Sequence, residues 1–145
     1  MLVNRLEIIN YIPQRDPFIA VHELLAATDE FAQTQFEVLP ESIFVTHGLF
    51  MESGLLENIA QTAAAQMGYV CKKNGLPNPP GYIASIKNLV VHSLPSVGDV
   101  LNTSIQVINR VLGVILLDGI VKSNESIVCQ CEMRVFVENQ ELKYS

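Results

Sequence analysis

The sequence predicts an α+β domain in which a curved antiparallel sheet wraps one long helix, and three observations predict it. The run SGLLENIAQTAAAQMGYVCKKNG, Ser53 to Gly75, reads as a single helix with one carboxylate, Glu57, and no basic residue before its last turn. The chain after it is a succession of strand-like segments punctuated by Gly, Pro and Asn. An apolar content of 49% in 145 residues suffices for one core, since a chain of this length buries about 70% of its unfolded surface. One buried helix followed by a run of antiparallel strands is the α+β pattern, with residues 1–145 forming a single domain.

The elements follow in order. Val3 to Asn10 reads as a short helix or turn, and Pro13 disfavours helix at Ile12. A strand begins in Pro17 to Leu25, and Ala32 to Leu39 is a second, with Asp29 and Glu30 in the hairpin between them and Pro40 at its end. Glu41 to Glu52 is a loop. In the long helix Leu56, Ile59 or Ala60, Ala63, Met67 and Val70 recur at helical spacing, while Ala64, Ala65 and Gly68 keep other faces small. Ser53 is placed to cap its start, Lys72 and Lys73 complement the negative end of its dipole, and Gly75 suits the left-handed residue that ends it. A helix so poor in charge has to be covered on nearly all sides. The cover comes from Tyr82 to Val91, from Val100 to Val107 after a Gly98–Asp99 turn, from Arg110 to Ser123 with an interruption at Asp118 and Gly119, and from Ile127 to Glu138. A hairpin turn at Ser123 to Ser126 joins the last two, and Ile127, Cys129, Cys131, Met133, Val135 and Val137 form one apolar face.

Charge and composition exclude several functions. The net charge is −6, from 15 acidic and 9 scattered basic residues, whereas nucleic-acid binding needs a concentrated basic surface. No stretch approaches the roughly 18 apolar residues of a membrane span. The N-terminal MLVNRLEIINYI has an acidic residue at Glu7 and no apolar core leading to a cleavage site, so a cytoplasmic protein without a secretory signal is expected. Cys129 and Cys131 lack a second ligand pair at metal spacing and read as buried thiols, so no metal is expected.

Two motifs carry a family resemblance. Ile12, Pro13, Gln14, Arg15, Asp16, Pro17 and Phe18 match an Ile-Pro-His-Arg-x-Pro-Phe opening except at Gln14. Glu57, Asn58, Ile59, Ala60 and Gln61 match a Glu-Ala-x-Ala-Gln helix motif except at Asn58, and Gly98–Asp99 matches a later Gly-Asp. In combination, and over most of its length, the chain resembles the 3-hydroxyacyl-[acyl-carrier-protein] dehydratases of the hot-dog fold.

The resemblance implies elimination of water from a 3-hydroxyacyl thioester on acyl carrier protein, in fatty acid or related polyene or polyketide synthesis, without a cofactor. It also implies a site built across a dimer from a His of one subunit and the central-helix Glu of the other. The residue types suit the chemistry: a neutral imidazole takes the weakly acidic C2 proton, backbone N–H groups at a helix N-terminus polarise the thioester carbonyl, and a carboxyl assists departure of the C3 hydroxyl. Glu57 takes the role of that carboxyl. At the family's spacing this chain has Ile43 instead of the loop histidine; His47, ten positions before Glu57, reaches the equivalent place if the loop is shortened by four residues. Met51 and Glu52, or Ser53 and Gly54 just after them, then stand in for the family's Pro-Gly ahead of the helix, with Ser53 and Gly54 expected to bind substrate; Gln61 lies one turn beyond Glu57, and Phe18 and Phe50 line an acyl tunnel.

Other readings stay open. Glu57 also suits a helix N-terminus at a subunit interface, and His47 suits an ordinary loop. His22 and His92 read as structural, and Arg15 as an anchor of the N-terminal turn. The function is therefore dehydration by a homodimer, or a catalytically impaired acyl-binding subunit paired with an active hot-dog paralogue, or, less in keeping with the opening motif, an acyl thioesterase.

Overall fold

A computed structural model describes residues 1–138. A 3-10 turn at Ile8–Asn10 leads to β1 (Glu23–Ala27) and β2 (Phe31–Glu37), then to a small hairpin of β3 (Val45–Thr46) and β4 (Leu49–Phe50). Helix α1 (Glu52–Lys73) follows, and β5 (Gly81–Val91), β6 (Val100–Val111), β7 (Val114–Ser123) and β8 (Ser126–Val137) complete the chain. Six strands form one antiparallel sheet in the order β1-β2-β6-β7-β8-β5, curved around α1. Among the described residues no helix is long and apolar enough to cross a membrane.

Where the elements depart from expectation, local hydrogen bonding gives the reason. The first strand starts at Glu23 rather than near Pro17, because the backbone of residues 18–20 is bonded to side chains of α1 instead of to a strand. The segment expected from Arg110 to Ser123 is split by a turn at Leu112 and Gly113, with φ of 51° and 81°, and β6 runs on to Val111. Asp118 and Gly119 do not interrupt β7: Asp118 faces solvent and Gly119 faces the helix, as strand alternation requires. Ile127 is exposed because the β7–β8 pairing shifts between Val121 and Lys122, and Val128 takes the inner place. From Cys129 to Val137 the apolar face is buried as expected.

Helix α1 begins one residue before Ser53. Met51 is its N-cap, in extended conformation and without a side-chain cap bond; Glu52 supplies the acidic group of the first turn, and Ser53 is exposed. The other end is as the sequence indicates. Lys72 and Lys73 occupy the last turn, Gly75 has φ of 68°, Gly75 N donates to Lys72 O and Leu76 N donates to Cys71 O, the paired bonds of a Schellman stop.

The sheet and the N-terminal segment bury most of α1, with Leu55, Asn58, Ile59, Gln61, Thr62, Ala65 and Gln66 inside. The cover is incomplete along one stripe, where Glu57, Ala60, Ala64, Met67 and Cys71 are only half-buried. That stripe of small and flexible side chains, at intervals of three and four, is what leaves room for a cavity.

The two sheet edges differ. Leu24 N donates to Val3 O and Leu2 N donates to Leu24 O, so the N-terminal segment covers β1. Among the described residues no strand pairs with the outer edge of β5, which exposes Tyr82, Ile83, Leu89 and Val90.

Candidate functional site

The two sequence motifs meet at Ala20. Its N–H donates to Gln61 Oε1 at 2.6 Å, and its carbonyl accepts from Asn58 Nδ2 at 2.8 Å. Gln61 Nε2 donates to Phe18 O and to Glu57 Oε2, each at 2.9 Å. Asn58 in turn accepts from Thr103 Oγ1 on β6, and the Thr62 and Thr34 hydroxyls meet at 2.7 Å between α1 and β2. Asn58, Gln61, Thr62, Thr34 and Thr103 are all five fully buried and bonded, as burial demands. Asn58, where the family motif has Ala, is therefore a bracket that holds the N-terminal segment to the helix.

Gln61 thus fixes a carboxylate oxygen of Glu57, and the half-buried carboxylate lines a cavity of about 560 Å³. The helix side of this cavity is Glu57, Ala60, Ala63, Ala64 and Met67, the incompletely covered stripe. Ile115, Val135 and Val137 of the sheet form its floor, Pro13 and Gln14 one rim, and Gly81, Tyr82 and Ile83 of the open β5 edge another. A second cavity of about 640 Å³ shares Met67, Pro79, Ile115 and Val137 and continues past Val70 and Cys71 to Leu76 at the far end of the helix. One carboxylate at the head of a mainly apolar groove is suited to a polar group carried on an aliphatic chain.

The residues expected at a site fall into two sets. Glu57 and Gln61 are bonded together, and Phe18 joins them through its carbonyl while its ring is 51% exposed. His47 is elsewhere: with Gly48 it forms the two-residue turn between β3 and β4, both with positive φ, and it is exposed and does not line the Glu57 cavity. Phe50 is fully buried in the core against Phe36 and Phe44, and Gly54 is buried where a Cβ would meet the Phe50 ring and Phe44 Cβ. Neither lines the cavity, nor does Ser53.

The other titratable groups have structural settings. His22 is buried, its Nδ1 accepts from Glu37 N, and burial, with the charge of Arg5, lowers its pKa to about 4. Burial, then Cys131 and Glu52, raise Cys129 to about 12, and burial, then Asp118, raises Cys131 to about 11, so both remain thiols at neutral pH. No group of three or more His, Cys, Asp or Glu side chains converges among the described residues. Arg15 anchors its turn, with Nη1 donating to Ile12 O and Gln14 O.

Sequence reasoning missed Gln14 and Asn58. Both were visible as the departures from the two motifs, and the signal was that each substitutes a group with hydrogen-bonding capacity of its own.

A long helix held against a curved six-stranded antiparallel sheet, with a carboxylate on the helix at an apolar groove, defines a hot-dog protein. Within that class, residues 6–144 match the ApeP-like family, described as ApeP dehydratase, and the chain belongs to it. Comparison with curated proteins found no match in sequence. Among solved structures, the chain is similar to the dehydratase heterocomplex ApeI:P from Xenorhabdus doucetiae, with a TM-score of 0.85, 14% identity and 92% of each chain covered. It is also similar to a hypothetical thioesterase protein with coenzyme A from Streptococcus pneumoniae (TM-score 0.64, 15% identity, 81% of this chain and 86% of that one). The PaaI protein from the phenylacetic acid degradation operon of Escherichia coli follows at a TM-score of 0.61, 14% identity, and 79% and 81% covered. At these identities the likenesses establish the fold.

Proposed function

We propose that this chain is a cytoplasmic dehydratase subunit that converts 3-hydroxyacyl thioesters on acyl carrier protein to 2-enoyl thioesters. The observation that carries the reading is Glu57, held by Gln61 at the mouth of an apolar groove in a chain of a dehydratase family. The aliphatic tail lies along Ala60, Ala64 and Met67, and the C3 hydroxyl sits at the carboxyl. A base removes the C2 proton, the electron pair becomes the C2–C3 double bond, and the C3–O bond breaks as the oxygen takes the proton of the Glu57 carboxyl, which acts in its neutral form, and leaves as water; the base then returns the C2 proton to Glu57.

The base comes from a second hot-dog subunit. His47 does not line the cavity of its own chain, and one rim of that cavity belongs to the open β5 edge, so the site is incomplete in a single chain. An eleven-residue edge with four exposed large apolar side chains is a template for strand pairing. In a homodimer the partner's copy of the β3–β4 hairpin would bring the imidazole. The heterocomplex nature of ApeI:P supports the other arrangement, in which a paralogue supplies it.

The test is formation of 2-enoyl thioester from a 3-hydroxyacyl carrier substrate by the chain alone and with a hot-dog paralogue, each beside His47→Ala and Glu57→Ala. Activity of the chain alone, lost in both variants, supports the homodimeric enzyme. Activity only with the paralogue, indifferent to His47→Ala, supports the partner subunit. No turnover in either arrangement, over several chain lengths, refutes the dehydratase reading.

A further inference from the structure

Three buried side-chain polar atoms lack a hydrogen-bond partner among the described residues: Gln14 Oε1, Ser85 Oγ and Ser123 Oγ. Only Gln14 lines the Glu57 cavity. A serine hydroxyl rotates to suit its surroundings, but an amide carbonyl on a turn pinned from behind has little freedom. The pin is Arg15, whose Nη1 donates to Gln14 O at 2.7 Å and to Ile12 O at 2.9 Å, with Ile12 itself buried in the core. Leaving a buried acceptor unmet costs about 1–3 kcal/mol. Native structures leave few of them, and a cavity wall is where a ligand supplies the missing donor. Of the other polar side chains of this cavity, Asn78 Nδ2 donates to Tyr11 O, Glu57 Oε2 accepts from Gln61, and Tyr82 is exposed to solvent.

We propose that Gln14 is the residue that selects a hydroxylated acyl chain, its Oε1 accepting a hydrogen bond from the substrate's C3 hydroxyl. The inference rests on the dehydratase reading of Glu57 and deepens it. With its own proton directed at Gln14, the hydroxyl oxygen presents a lone pair to the Glu57 carboxyl. When the C3–O bond breaks and that oxygen takes the carboxyl proton, the departing water keeps one O–H on Gln14. A chain without the hydroxyl leaves the amide oxygen buried and unmet, which is how a site built around a substrate hydroxyl rejects its deoxy analogue.

The test compares binding of two non-hydrolysable pantetheine amides of equal chain length, one 3-hydroxyacyl and one saturated, to the intact protein and to Gln14→Met, in the assembly that shows activity. The intact protein is expected to prefer the hydroxylated probe about tenfold, and Gln14→Met to lose that preference, binding the hydroxylated probe less tightly and the saturated probe at least as tightly as before. If Gln14→Met does not fold, Gln14→Asn, which withdraws the amide by one methylene, serves the same comparison. A preference kept in both variants overturns the role of Gln14 and leaves the dehydratase reading standing. An intact protein that turns over 3-hydroxyacyl substrate but shows no preference also overturns it. No preference together with no turnover overturns both.

Discussion

The Gln61 side-chain amide donates to the Glu57 carboxylate at 2.9 Å, one helical turn away, and with the same nitrogen to Phe18 O at 2.9 Å. Its oxygen accepts from Ala20 N. All three partners depend on one side chain that is itself fully buried, so Gln61 ties the N-terminal segment to the helix and sets the carboxylate in one motion. Gln61→Leu leaves Ala20 N and Phe18 O without their bonds in a buried place, and the expected loss of stability is about 1–3 kcal/mol. For a domain of this size that lowers the melting temperature by about 2–4 °C per kcal/mol. Thermal unfolding checks it; an unchanged midpoint would show that the segment is held by other contacts.

His22 predicts an acid-sensitive fold. Its Nδ1 accepts from Glu37 N, which requires an unprotonated nitrogen, and burial together with Arg5 lowers its pKa from 6.5 to about 4. The folded state therefore refuses a proton that the unfolded chain accepts below 6.5. The stabilisation is complete above that pH, is lost as pH falls through the window toward 4, and is flat below it. The amplitude is on the order of 3 kcal/mol, since each pKa unit is worth about 1.4 kcal/mol. Urea unfolding at pH 7.5 and pH 4.5, for the intact protein and His22→Gln, measures it: the variant should lose most of the difference attributable to this residue. Equal pH dependence in the two would contradict the assignment.

The helix and the strands were legible in the sequence because their signals are local. Periodicity marks α1, Gly75 marks its end, and alternation marks β6 and β8. The small hairpin was not legible, because Val45, Thr46, Leu49 and Phe50 form only two pairs and show no period. The start of β1 was misplaced for a different reason: the bonds of residues 18–20 go to Asn58 and Gln61, roughly forty positions along the chain. Of the site, Glu57 and Gln61 could be named as one face of one helix. Gln14 could not be joined to them, because its approach to the cavity depends on how two distant segments pack. Spacing from Glu57 points to His47 and apolarity to Phe50, and neither signal carries the fold's placement of one on a hairpin tip and the other in the core.

Gly119 marks where the helix comes closest to the sheet. A Cβ on it would stand 2.6 Å from Ile59 Cγ2, well inside contact distance, and Ile59 is fully buried. Gly119→Ala should destabilise by about 1–3 kcal/mol through overpacking, and Ile59→Ala, which removes Cγ2, should relieve that overpacking and so cost less in the Gly119→Ala background than alone. A double-mutant cycle by urea unfolding checks the coupling; strict additivity of the two changes would show that α1 moves away freely.

The β5 edge gives a prediction about assembly. Val90 is 42% exposed on an edge that no strand pairs among the described residues. Val90→Lys places a charge where a partner strand would add, a device that edges use against pairing. The proposed dimer, alone or with a paralogue, should weaken at least tenfold by sedimentation, with little change in the fold of the subunit. An unaffected association constant would move the interface off this edge.

The stripe of Ala60, Ala64 and Met67 predicts how chain length is read. Ala64 is half-buried and lines the Glu57 cavity, short of Met67, which both cavities share. Ala64→Phe fills the groove at that level without displacing a fully buried side chain. Chains that end before it should be turned over as well as before. Longer ones should lose the contribution of each methylene that can no longer be buried, about 0.8 kcal/mol, or roughly fourfold in kcat/KM per carbon. Relative kcat/KM across a series of acyl lengths, intact against Ala64→Phe, gives the answer: a break at one length maps the tail onto the helix stripe, and parallel profiles would mean that the tail takes another path.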